Sequence, residues 1–146
     1  EALNQLDLYE KLLPCKKLLG LSHMRQRDLE IFIGLCRQDP FTGGELISCY
    51  QEYLKTAGDP LLETLMLHNR EDMEGMLALL PLLAIPALTE GTLPFRIRGN
   101  AAGEHAHIQL TLPFSLPVSL DRTLSDIRLV IKDRQAMLTV PFFSGS

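Results

Sequence analysis

His68 and Asp72 stand four residues apart in a stretch of helical periodicity from Pro60 to about Leu80, so both side chains fall on one helix face. At about 100° per residue, Arg70, Glu63, Glu74, Glu71 and Thr64 fill one arc, the expected solvent face. The rest is largely apolar. His68 and Asp72 lie at one edge of it among Leu61, Leu65, Met76 and Leu79, while Asn69 points nearer to Leu62, Met73 and Leu80. A carboxylate aimed at packed surface is costly unless it is paired or bound to a cation. Asp72 therefore needs a basic partner, such as His68, Arg25 or Arg27, or it is a cleft residue in a metal site.

Other reactive residues carry less. His105 and His107 share one side of a strand-like segment and could chelate a metal with a third ligand, for which Glu104 would serve only if the strand bends. Strict alternation already explains the two histidines as a polar strand surface. Lys16, Lys17, Arg25 and Arg27 form a modest basic cluster, more simply a solvated face than a phosphate contact. Ser22, Ser48 and the three cysteines have no recognisable base partner, and neither a P-loop, a dinucleotide fingerprint nor a nucleophile elbow is present.

The elements that must position His68 and Asp72 can be read from period and punctuation. Leu6, Leu8, Tyr9, Leu12 and Leu13, with Leu3 before them, recur at helical spacing ahead of Pro14. A second helix runs from Met24 to Ile33, with Gly34 placed to end it in a left-handed conformation. Arg37-Gln38-Asp39-Pro40 reads as loop, and Thr42-Gly43-Gly44-Glu45 has the form of a capping box. The helix behind it should bury Leu46, Ile47, Tyr50, Tyr53 and Leu54 and end at Gly58, before Asp59-Pro60 opens the His68 helix. After a linker from Pro81 to Pro86 the period changes to two. Ala106 to Leu112, Ile127 to Ile131 and Ala136 to Val140 alternate as strands, the last two as a hairpin, and Leu93 to Arg98 is a weaker strand. The sequence thus divides into a helical part, 1–83, and a β-rich part, 84–146.

Composition sets the outer limits. With 46% hydrophobic and 22% charged residues and a formal net charge of -4, the chain is globular and carries no basic nucleic-acid arm. An acidic balance still allows a nuclease built on carboxylates and divalent metal. Cys15, Cys36 and Cys49 form neither a disulfide framework nor a zinc motif, which favours a reducing cytoplasmic setting. The apolar run Met76 to Leu88 is interrupted by Pro81 and Pro86, short of the roughly 20 residues a membrane helix needs, so no membrane partner is expected. The start at Glu1 and the end in Ser144-Gly145-Ser146 read as those of a fragment.

The stretch Leu67-His68-Asn69-Arg70-Glu71-Asp72-Met73-Glu74-Gly75-Met76 resembles the third exonuclease motif of DnaQ-type, RNase H-like proteins, in particular a bacterial group in which a helix carries H-N-x-x-D before an apolar run. Asp7-Leu8-Tyr9, Leu29 to Gly34, Arg37-Gln38-Asp39 and Gly43-Gly44-Glu45-Leu46 resemble the same group in the same order. The resemblance implies an α+β chain: the C-terminal helices of an incomplete RNase H-like domain, then a small antiparallel β-rich segment. It further implies a two-metal phosphodiester hydrolase using Mg²⁺ or Mn²⁺, with nucleic acid as partner, Asp72 as metal ligand and catalytic carboxylate, and His68 orienting or deprotonating the attacking water. Asn69 would brace the helix or the neighbouring loop. The family's first motif, a strand-borne D-x-E, and its second Asp are not matched. Asp28-Leu29-Glu30 has the letters of the first motif but sits in a helical pattern. One carboxylate cannot hold two metals, so the chain alone should be inactive, and a non-catalytic binding or assembly module retaining an RNase H-like remnant is the alternative. The apolar strand faces of the β-rich part must be covered by helices, by another sheet or by a second copy of the chain.

Overall fold

In the computed structural model, which describes residues 5–99 and 105–141, an α+β fold places helices first and one antiparallel sheet after them. Leu3, Glu104 and the terminal Ser144 to Ser146 lie outside the described residues. Helix α1 (Leu8–Leu12) starts where the Asp7 side chain accepts the Glu10 N–H at 3.0 Å. Pro14 turns the chain into α2 (Lys16–Leu19), which stops at Gly20, φ 69°. Helix α3 (Gln26–Phe32) ends before Gly34, φ 80°, a conformation open to glycine at little cost. The Thr42 capping box opens α4 (Gly43–Thr56), and α5 (Asp59–Leu79) carries Pro60 in its first turn.

Three sequence expectations need correction. Of the α4 stripe only Leu46 is buried and Tyr53 half-buried, where α4 packs against α5; Ile47, Tyr50 and Leu54 are exposed. The segment read as a linker is helical, a 3₁₀ turn (Leu80–Leu83) followed by α6 (Ala84–Thr89). Proline without an N–H is tolerated at helix starts, and Pro81 opens the 3₁₀ turn. By length and composition the combined stretch Asp59–Thr89 would suffice to cross a membrane. Leu79, Leu82, Ala84 and Ile85 within it are buried in the protein core. The third correction is a strand the alternation did not mark, β3 below.

The sheet comprises β1 (Phe95–Gly99), β2 (His105–Thr111), β3 (Leu120–Leu124), β4 (Ile127–Lys132) and β5 (Gln135–Pro141) in the order β1-β2-β5-β4-β3. Its register aligns Phe95, Leu110, Ala136, Ile131 and Leu120 across one face. Leu120, Leu129, Ile131 and Ala136 on that face join Leu112, Leu12, Leu19, Leu82 and Ile85 in a single core shared by helices and sheet. Arg122 on the same face donates from its guanidinium to the Leu19 carbonyl at 3.3 Å, closing the C-terminal end of α2. The other face, where Arg96, Gln109, Met137 and Val130 align, has no helix against it among the described residues.

Candidate functional site

His68 and Asp72 project from the middle of α5 and meet, with His68 Nε2 3.1 Å from Asp72 Oδ2. Helical spacing alone brings them together. The rest of the site comes from the loop between α3 and α4, at residues that the sequence marked as loop and as part of the family resemblance but assigned no role. Asp39, 1% exposed, receives His68 Nδ1 on Oδ2 at 2.5 Å and the Phe41 N–H on Oδ1 at 2.9 Å. The ring is thus held from behind by a buried carboxylate and presents Nε2 toward Asp72.

The loop is held by α5 itself. Glu71, expected on the solvent face, accepts the backbone N–H groups of Gln38 at 2.9 Å and Asp39 at 3.0 Å. Arg27 donates to the carbonyls of Asp39 and Phe41 from the other side. Arg37 is placed between two helices. Its guanidinium makes two 2.6 Å bonds to Glu30, which is fully buried, and Nη1 reaches Asp72 Oδ1 at 2.5 Å. Gln26 adds a bond to Glu30 and another to the Asp72 carbonyl, each 2.8 Å. This close approach of α3 to α5 depends on Gly75, because a Cβ there would land on the Glu30 carboxylate.

Electrostatics follow this geometry. The hydrogen bonds that Arg37 donates to Glu30, and after them the one to Asp72, push its pKa above its already high ordinary value despite burial. Burial opposes ionisation of Asp39 and is the largest single influence. The His68 bond, the Phe41 N–H and the charges of His68 and Arg27 together outweigh it and hold the carboxyl below its usual value.

Asp72 remains partly exposed, its side chain 39% accessible, at the rim of an open depression of about 440 Å³ lined also by Arg25, Arg27, Arg37, Phe41 and His68. Asp72 has two basic neighbours, the expected His68 and also Arg37 in place of Arg25 or Arg27; Arg25 pairs with Asp28 at 2.9 Å. Asp28 and Glu30 are thereby both occupied by arginine on a helix, consistent with D-x-E letters that are not a metal motif. Asn69 is separate from the pair, lining another depression with Met66, Met73 and Leu77. His105 and His107 are exposed on β2, with His107 Nδ1 3.1 Å from Thr139 Oγ1.

A divalent ion needs several donors converging on one point. Asp72 has one oxygen on Arg37 and the other facing His68, while Asp39 lies on the far side of the imidazole. Among the described residues no group of three or more His, Cys, Asp and Glu converges on a metal position. These residues by themselves do not fit a two-metal centre.

Fold and site define an α+β protein with an oriented imidazole–carboxylate pair beside arginines. A family model described as RNase H superfamily matches residues 1–84, more than half of the chain, and the chain belongs to that superfamily. Neither the curated proteins nor the solved structures compared gave a match. A nuclease-type fold is therefore the frame for the helical part, and the sheet lies beyond the matched residues.

Proposed function

We propose that the chain is a fragment of a metal-dependent, 3'-5' exonuclease-like nuclease that hydrolyses phosphodiester bonds in DNA or RNA and is inactive without the rest of its carboxylates. The observation that carries this reading is His68, braced by buried Asp39 and presenting Nε2 beside Asp72 at an open rim. An imidazole so held can position or deprotonate a water, and nearby arginines suit a phosphodiester anion. Asp72 would supply one ligand to Mg²⁺ or Mn²⁺, the others coming from beyond the described residues. The free thiols Cys15, Cys36 and Cys49 suit a cytoplasmic setting.

Labelled single-stranded DNA and RNA should be cleaved by the full-length protein with Mn²⁺ or Mg²⁺ and not by residues 1–146 alone. Asp72→Asn should abolish cleavage, and His68→Ala should lower it by about 10²–10⁴-fold. Undiminished cleavage by Asp72→Asn would remove Asp72 from the mechanism. The Arg37–Asp72 contact favours a second reading, a structural ion-pair node in a non-catalytic binding or assembly module. That reading requires a full-length protein that cleaves nothing and an Asp72→Asn chain whose loss is one of stability.

A further inference from the structure

The five strands carry five cations, Arg96, Arg98, Arg122, Arg128 and Lys132, and one carboxylate, Asp121, in a chain of net charge -4. The fold sorts these charges by face. Arg122 turns to the helices, whereas Arg96, Arg98, Arg128 and Lys132 all project from the face that no helix covers among the described residues. All four are exposed. Asp121 shares that face and pairs with Arg128 at 2.7 Å. Among the described residues, no carboxylate forms an ion pair with Arg96, Arg98 or Lys132.

The cations form two rails. Arg96 and Arg98 alternate along β1, roughly 6.7 Å apart at the usual rise of a strand. Arg128 and Lys132 lie along β4, three strand spacings away, on the order of 14 Å. Between the rails the face is uncharged and polar, with His107, Gln109, Thr111, Gln135 and Thr139 around Met137. Beside Arg96, a depression of about 460 Å³ is lined by Gln109, Thr111 and Gln135.

We infer that this open sheet face binds single-stranded nucleic acid through its phosphates, so that a surface outside the nuclease-like helices holds the strand. Charge complementarity supplies the attraction, and neutral donors and acceptors between the rails accommodate sugars and bases without a fixed sequence. Nucleic acid as the occupant rests on the nuclease reading above. His68 and Asp72 take no part, so binding and cleavage can fail independently.

The test is fluorescence anisotropy of labelled single-stranded DNA and RNA of about 20 nucleotides, long enough to span a site of the usual size. It uses the 146-residue chain in EDTA, where metal-dependent hydrolysis cannot contribute. For the unaltered protein, log K against log salt should fall with a slope of about −2, near −0.7 for each of three neutralised phosphates. Arg96→Glu, Arg98→Glu and Lys132→Glu should each weaken binding several-fold and flatten that slope. Lys55→Glu, an equal change of charge on α4, should leave both unchanged. The neutral Arg96→Gln/Arg98→Gln double variant repeats the measurement should a reversal unfold the chain. Binding that ignores the sheet variants, a slope near zero, or displacement by polyglutamate as potent as by oligonucleotide overturns the inference; the last result would mark a surface for acidic proteins.

Discussion

At the scale of single residues, Arg37 is the hinge of the site. It joins Glu30 of α3 to Asp72 of α5 while nearly buried, its side chain 7% exposed. Removing one partner of a buried ion pair leaves the other charge uncompensated and typically costs about 3–5 kcal/mol, whereas an exposed pair contributes at most about 1 kcal/mol. Glu30→Ala should therefore lower the unfolding free energy in urea by about 3–5 kcal/mol. Arg25→Ala, which breaks the exposed Arg25–Asp28 pair, should change it by less than about 1 kcal/mol. Equal losses would mean that Glu30 and Arg37 are far better solvated than their burial indicates. Local spacing could expose His68 and Asp72 because they share a helix. Arg37 and Asp39 stood in a stretch that resembles the family, but their roles could not be read from it, because Asp72 and His68 are some thirty residues away and a loop has no period. The one local trace is the Asp39-to-Phe41 turn, which marks a structured loop without saying what it holds.

At the scale of elements, α3 and α5 pack closely through an absent side chain. Gly75 lies one turn beyond Asp72, and an added Cβ would sit 2.8 Å from Glu30 Cδ and 3.0 Å from Gln26 Nε2. Alanine is otherwise better than glycine in a helix by about 1 kcal/mol. Here Gly75→Ala should instead destabilise by about 1–3 kcal/mol, the usual cost of overpacking, and loosen Arg37 from Glu30. A melting temperature at or above that of the unaltered chain would show that the helices can part at no cost. The same balance of local and distant causes explains which elements the sequence disclosed. Alternation marked β2, β4 and β5 because their inward residues are apolar. It missed β3 because Arg122 occupies an inward position, directed to the Leu19 carbonyl rather than to solvent. Periodicity placed Ile47, Tyr50 and Leu54 on one side of α4, but period alone does not say whether a partner covers that side.

At the scale of the whole molecule, the helical and β-rich parts divide in sequence yet share one core. Leu82 beside α6 and Ile131 on β4 are both fully buried in it. Leu82→Ala and Ile131→Ala should each cost about 2–5 kcal/mol. Hydrogen exchange followed by mass spectrometry should show protection lowered in peptides from both parts, as one cooperative unit requires. Loss confined to the mutated part would establish two independently stable units. The family match ends at residue 84, so the sheet's charge arrangement could be seen only after the strands were set in register.

The position of Arg96 and Arg98 on an edge strand has a further consequence. An open edge offers unpaired backbone groups to any other extended chain, and β1 also exposes Phe95 and Ile97. If two copies met antiparallel at β1 about Ile97, Arg96 of one would face Arg98 of the other, like charge against like. Pairing in that register would therefore set like charges together at the edge where apolar exposure would otherwise invite it.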